Sequence, residues 1–97
     1  MSETTTPSPA AGLRRHEIVV LLVDDQAMVG EAVRRMLAPE ADITYTAIQV
    51  PTAAVQTALT LKPTIILQDL VMPEVDGLTL LKFYRAHPKL RDVPVIV

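Results

Sequence analysis

Two runs of branched apolar residues in this chain each end abruptly in aspartate. Ile18-Val19-Val20-Leu21-Leu22-Val23 runs into Asp24-Asp25, and Ile65-Ile66-Leu67-Gln68 runs into Asp69. Short β-branched runs of this kind read as strands buried on both faces of a parallel sheet. In open α/β sheets, ligands sit outside the carboxyl ends of the strands. If the two strands are neighbours, Asp24, Asp25 and Asp69 converge on one such edge. Three carboxylates packed together repel unless a cation joins them or one takes a proton. The arrangement asks for a hard metal such as Mg2+ and leaves one carboxylate free to act as a nucleophile.

The segments between the runs alternate helix and strand. From Ala27 to Leu37, the residues Val29, Ala32, Val33, Met36 and Leu37 form one apolar stripe at helical spacing, with Glu31, Arg34 and Arg35 on the other face. Gly30 within this helix costs some stability and hints at close packing. Ile43, Tyr45 and Ala47 alternate with Thr44 and Thr46, a short strand with one more polar face. Pro51 suits the first turn of a second helix whose apolar side is Ala54, Val55, Ala58, Leu59 and Leu61. Lys62-Pro63 stops it, and Thr64 to Gln68 forms the third strand. Leu78 to Ala86 reads as a third helix, with Leu78, Leu81 and either Tyr84 or Phe83 on its buried side. Val93 to Val97 reads as a fourth strand. This βαβαβαβ order predicts a parallel sheet with helices on both faces.

Composition narrows the functional classes. At 97 residues the chain has room for one domain. A formal charge of −2 gives no basic footprint, which argues against direct nucleic-acid binding by this segment. Without cysteine, neither a disulfide framework nor a thiolate zinc site is possible. The longest aliphatic run, Ile18 to Val23, is far too short to span a bilayer. Residues 1–16 hold Glu3, three threonines, Pro7 and Pro9 with no apolar core of signal-peptide length. The expectation is a cytoplasmic protein with a disordered tail over residues 1–16 and one domain over residues 17–97.

Taken singly, an aspartate after a strand usually caps a helix or shapes a turn. The shared edge is what raises these three above that reading. The loop after Asp69 runs Leu70-Val71-Met72-Pro73-Glu74-Val75-Asp76-Gly77, stiffened by Pro73 and closed by a turn that starts the next helix. Glu74 reads as solvated. His16 and His87 lack a metal-ligand partner at suitable spacing and read as structural, while the methionines and aromatics read as core filling.

Val20-Leu21-Leu22-Val23-Asp24-Asp25 and Leu67-Gln68-Asp69-Leu70-Val71-Met72-Pro73-Glu74-Val75-Asp76-Gly77 together resemble the receiver domain of two-component response regulators. The resemblance covers residue 17 to the end. It implies a flavodoxin-like, CheY-like doubly wound sheet with strand order 2-1-3-4-5. It further implies that Asp69 is the phosphoacceptor, taking a phosphoryl group from a sensor histidine kinase. Asp24 and Asp25 would hold Mg2+ with Asp69 and the backbone carbonyl of Val71. The implied role is a phosphorelay signalling module, not an enzyme in its own right. More narrowly, Gln26 and Gln68 around the acidic site resemble receivers joined to diguanylate cyclases in Wsp-type regulators, although no cyclase residues stand in these 97.

The departures from the family pattern are as informative. A receiver carries a Ser or Thr after its fourth strand and a Lys after its fifth, and both would lie beyond Val97. The fourth helix, fifth strand and fifth helix are missing as well, so the fold is expected to be incomplete, with a bare sheet face inclined to self-association. The alternative function is a truncated or degenerate receiver acting only as a protein-interaction domain. A third class, Mg2+-dependent hydrolases using an aspartyl intermediate, calls for an Asp-x-Asp after the first strand, which Asp24-Asp25 does not supply.

Overall fold

The computed structural model describes residues 17–97, so the tail expected over residues 1–16, with His16, lies outside the described residues. The strands are β1 (Ile18–Val23), β2 (Ile43–Ile48), β3 (Ile65–Gln68) and β4 (Val95–Ile96), and the helices are α1 (Ala27–Leu37), α2 (Ala54–Leu61) and α3 (Gly77–Ala86). A single 3-10 turn, Pro51–Ala53, leads into α2. All strand pairings are parallel and their order is β2-β1-β3-β4. The two aspartate-terminated runs are therefore neighbours, as the carboxylate argument required. This is the flavodoxin-like strand order that the resemblance implies, with the fourth strand at the edge.

Alternation along β1 divides the molecule into two unequal faces. Leu21 and Val23 point with Ile66 toward α2 and α3, where Ala54, Ala58, Leu80, Tyr84 and Leu90 complete a closed core. Val20 and Leu22 point the other way, toward α1. There the packing is thinner, and no residue of α1 is fully buried. Of its apolar stripe, Val29, Val33 and Leu37 are half-buried, while Ala32 and Met36 face solvent. Among the described residues no helix covers this face of β3 and β4, and Ile96 is 54% exposed. Gly30 does mark a close approach: a Cβ there would meet the Ala47 side chain at 3.3 Å, and the Gly30 carbonyl accepts from the Tyr45 hydroxyl at 2.8 Å. On the outside of α1, Arg34 and Arg35 both bond Glu31 and hold its carboxyl down to about 2. Such an exposed pair adds little stability.

Several sequence expectations shift in the structure. The apolar alternation of Ile43, Tyr45 and Ala47 in β2 faces α1, and it is Ile48 that packs on the larger core. Thr64 is not in β3; its amide and hydroxyl both bond the Val19 backbone, a side chain imitating one more rung of the ladder. The fourth strand is shorter than Val93–Val97, because Pro94 has no N–H to give, although its carbonyl accepts from Ile66. Lys62 caps α2 in the left-handed region at φ 55°, and its N–H satisfies the Ala58 carbonyl.

The buried side of α3 also differs. Leu80 and Tyr84 are buried and Leu81 half-buried, whereas Leu78 and Phe83 are exposed. The cause is Gly77, whose backbone is pressed against Leu70 and fixes the phase of the helix from its first residue. Met28 and Met36 are exposed as well, so among the described methionines and aromatics Met72 and Tyr84 alone fill the core as expected, with Tyr45 half-buried. His87 ends α3 with its Nδ1 accepting from the Lys89 N–H. The ring thus serves that turn as a hydrogen-bond acceptor.

Candidate metal and phosphoacceptor site

The β ladder itself sets the height of the acidic residues. Asp24 N–H donates to the Ile48 carbonyl at 3.1 Å and Asp69 N–H to the Val23 carbonyl at 3.0 Å, so both stand one step past their strands on the same edge. Asp24, Asp25 and Asp69, all partly buried, each present a carboxylate oxygen within 4.8 Å of the others. At that spacing each pair of ionised carboxylates repels by roughly 3 kcal/mol if the effective dielectric is near 20.

Their hydrogen bonds differ in a way that matters. Asp24 Oδ1 accepts from the Gln26 N–H at 2.9 Å, and Asp69 Oδ1 accepts from the Val71 N–H at 3.1 Å. Both aspartates therefore also shape turns, the ordinary role weighed for them above. Asp25 Oδ1 is buried with no hydrogen-bond partner. An anionic oxygen held away from water without a donor is unfavourable unless something positive reaches it. The donor set is all oxygen, which suits a hard divalent cation such as Mg2+. The residues present fit that ion.

Val71 lies in the β3–α3 loop with its side chain exposed, and Glu74 is exposed in the same loop, outside the carboxylate cluster. Asp76 caps α3, its side chain accepting from Leu78 N–H and from the Thr79 hydroxyl, each at 3.4 Å. Gly77 then approaches so closely that a Cβ would lie 2.5 Å from Leu70 Cα and 2.8 Å from the Asp69 carbonyl oxygen.

Beneath the site is a polar pair to which sequence reasoning gave no role. Gln68, the residue before Asp69, is 3% exposed; its Nε2 donates to the Gly77 carbonyl at 2.9 Å and its Oε1 accepts from the Tyr84 hydroxyl at 2.7 Å. A signal was available: Ile66 and Gln68 share a strand face by period two, so a core under Ile66 is also a core under Gln68. Burial pushes the Tyr84 phenol up to about 12. The fold thus favours the neutral phenol, and this contribution is complete below the ordinary value near 10 and lost as pH rises toward 12. Two units correspond to roughly 3 kcal/mol. Urea unfolding midpoints should fall over this alkaline range, and more steeply in the native chain than in Tyr84→Phe; equal slopes would contradict the assignment.

The comparisons with known proteins agree with this geometry. Residues 20–97 match the family model of the response regulator receiver domain, and the chain belongs to that family. A protein-glutamate methylesterase/protein-glutamine glutaminase 2 of Carboxydothermus hydrogenoformans is 38% identical over 82 residues, which is 84% of this chain and 22% of that protein. Among solved structures, the N-terminal domain of a response regulator receiver protein from Methanoculleus marisnigri JR1 superposes with a TM-score of 0.73 at 25% identity, over 79% of this chain and 62% of that one. The Mn2+-bound form of response regulator Rcp1 gives a TM-score of 0.70 at 27% identity, over 80% of this chain and 62% of that one. The chain thus spans about a fifth of the curated relative and under two thirds of the solved receivers. No helix among the described residues is long and apolar enough to cross a membrane.

Proposed function

We propose that this chain is the phosphoacceptor part of a cytoplasmic two-component response regulator, with Asp69 as the acceptor. The observation that carries the reading is the unpartnered, buried Asp25 Oδ1 inside a cluster of three carboxylates. Asp24, Asp25, Asp69 and the Val71 carbonyl would hold Mg2+, which when bound offsets negative charge on the transferring phosphoryl oxygens. One Asp69 carboxylate oxygen attacks the phosphorus of a phosphohistidine on the partner kinase. The P–N bond breaks, the imidazole keeps its electron pair and takes a proton, and an aspartyl phosphate remains. A carboxylate nucleophile has no proton to lose, so no general base is required.

The output is a separate matter. Gln26 and Gln68 favour a Wsp-type parent, in which the receiver would control a diguanylate cyclase. The Carboxydothermus relative carries a methylesterase name instead. This segment would bind the kinase and an output partner, and neither nucleic acid nor membrane.

The test is phosphoryl uptake. Incubated with acetyl phosphate and Mg2+, the chain should gain one phosphoryl group by intact mass, located on Asp69 by fragmentation and lost when a chelator replaces the metal. No adduct, or an adduct elsewhere, favours the alternative of an interaction domain that keeps the fold without the switch.

A further inference from the structure

We propose that Gln68 and Tyr84 are positioning residues that clamp the loop carrying Asp69 and Val71 and so preorganise the acidic site for its metal; this rests on the phosphoacceptor reading above. The orientation of the Gln68 amide is fixed by chemistry. The Gly77 carbonyl can only accept, so the amide atom 2.9 Å from it must be the donor Nε2. Oε1 then faces Tyr84, and the phenol donates to it at 2.7 Å. Each of the two side chains therefore fixes the other, and neither can turn without leaving a buried polar group unpaired.

Core filling alone does not account for this pair. A leucine opposite a phenylalanine would occupy similar space with no polar group to desolvate. What the apolar pair could not do is hold Gly77. In the structure Gly77 is tied on both sides of its residue: its N–H donates to the Leu70 carbonyl at 3.2 Å and its carbonyl accepts from Gln68. The loop is thus fastened at its start by the Asp69 N–H on the Val23 carbonyl and at its end by Gly77 on Leu70 and on Gln68 of β3. Within the loop Val71, Pro73, Glu74 and Asp76 are exposed, while Met72 is buried and Val75, half-buried, packs on the core, so the residues next to Asp69 rely on the polar ties. The Asp69–Val71 turn, closed by the 3.1 Å bond between them, sits inside this clamp. Groups that hydrogen-bond metal ligands commonly change metal affinity by about 10–100-fold; Gln68 and Tyr84 act one residue further off, through Gly77, so the lower end of that range applies.

The test compares the 97-residue chain with Tyr84→Phe and with Gln68→Leu/Tyr84→Phe, the double variant leaving neither side chain with an unpaired polar atom. Amide hydrogen exchange is measured by NMR on metal-free protein. Protection of Val71 and Gly77 is read relative to the strand amides Ile66 and Asp69 of the same variant, which removes any change in global stability. Mg2+ affinity is measured separately by titration of the same amides. The expected result is a ~10-fold fall in relative loop protection and a ~10-fold weaker Mg2+ affinity in the double variant, with Tyr84→Phe between it and the native chain. Relative protection unchanged in both variants overturns the clamp, as does weakened protection with unaltered Mg2+ affinity. A native chain that binds no Mg2+ and takes no phosphoryl group overturns the phosphoacceptor reading instead, and the exchange ratio still decides whether the clamp exists.

Discussion

Asp69→Asn should take up no phosphoryl group at all, and the same variant should melt higher than the native chain when metal is absent. The first effect follows from chemistry. An amide offers no anionic oxygen, and its nitrogen lone pair is delocalised, so nothing at residue 69 can attack phosphorus. The second follows from electrostatics. One of three mutually repelling carboxylates, all within 4.8 Å, becomes neutral. The substitution is otherwise conservative, because asparagine keeps the Oδ1 that accepts from the Val71 N–H. The three groups are partly exposed and solvent and salt screen most of the pairwise repulsion, so a net relief of about 1 kcal/mol is expected, which would raise the melting temperature by about 4–8 °C in a domain of this size. Added Mg2+ should narrow the gap, since it stabilises the native chain more than the variant. Intact-mass spectrometry and calorimetry with and without Mg2+ read the two effects independently. An adduct that persists in Asp69→Asn removes the acceptor assignment. A melting point lowered in the metal-free variant would show that the three charges do not repel as their spacing implies.

Much of this was legible in the residues because the strand signals and the chemical signals coincide. Residues 18–23 and 65–67 are apolar on both faces, so their type and their parallel pairing follow without tertiary information. Once they are neighbours, the meeting of Asp24, Asp25 and Asp69 is a consequence of chain direction alone. The phase of α3 was not legible in the same way. Leu78, Leu80 and Leu81 offer more than one apolar stripe, and the choice among them is made by a backbone contact at Gly77 that periodicity does not record. The stripe of α1 was read correctly as a pattern, yet burial depends on what lies opposite, and Met36 has nothing over it among the described residues. The structural role of Gln68 is not legible in the sequence, since its partner Tyr84 lies 16 residues further on and across the loop.

That same contact at Gly77 makes a severe prediction for stability. Gly77→Ala should destabilise the chain by about 3 kcal/mol or more, the upper end for an added methyl group in packed surroundings. The reason is what the methyl would meet: Leu70 Cα at 2.5 Å, the Asp69 carbonyl oxygen at 2.8 Å and the Leu70 carbonyl oxygen at 2.9 Å. All three are backbone atoms, so no side chain can swing aside. Relief requires the helix start to retreat from the loop, which breaks the Gly77–Leu70 hydrogen bond and pulls on Gln68. A domain of this size has only about 4–12 kcal/mol in total. Gly30→Ala is the matched control. Its new methyl would meet side chains alone, Ala47 Cβ at 3.3 Å with Tyr45 Oη at 3.8 Å and Leu22 Cδ2 at 3.9 Å, and the helix gains up to about 1 kcal/mol from the exchange. Urea denaturation of the two variants should therefore separate them widely, with Gly30→Ala close to the native midpoint and Gly77→Ala far below it. Equal midpoints would mean that the β3–α3 loop yields easily, and a loop that yields could not hold Asp69 and Val71 in a fixed relation.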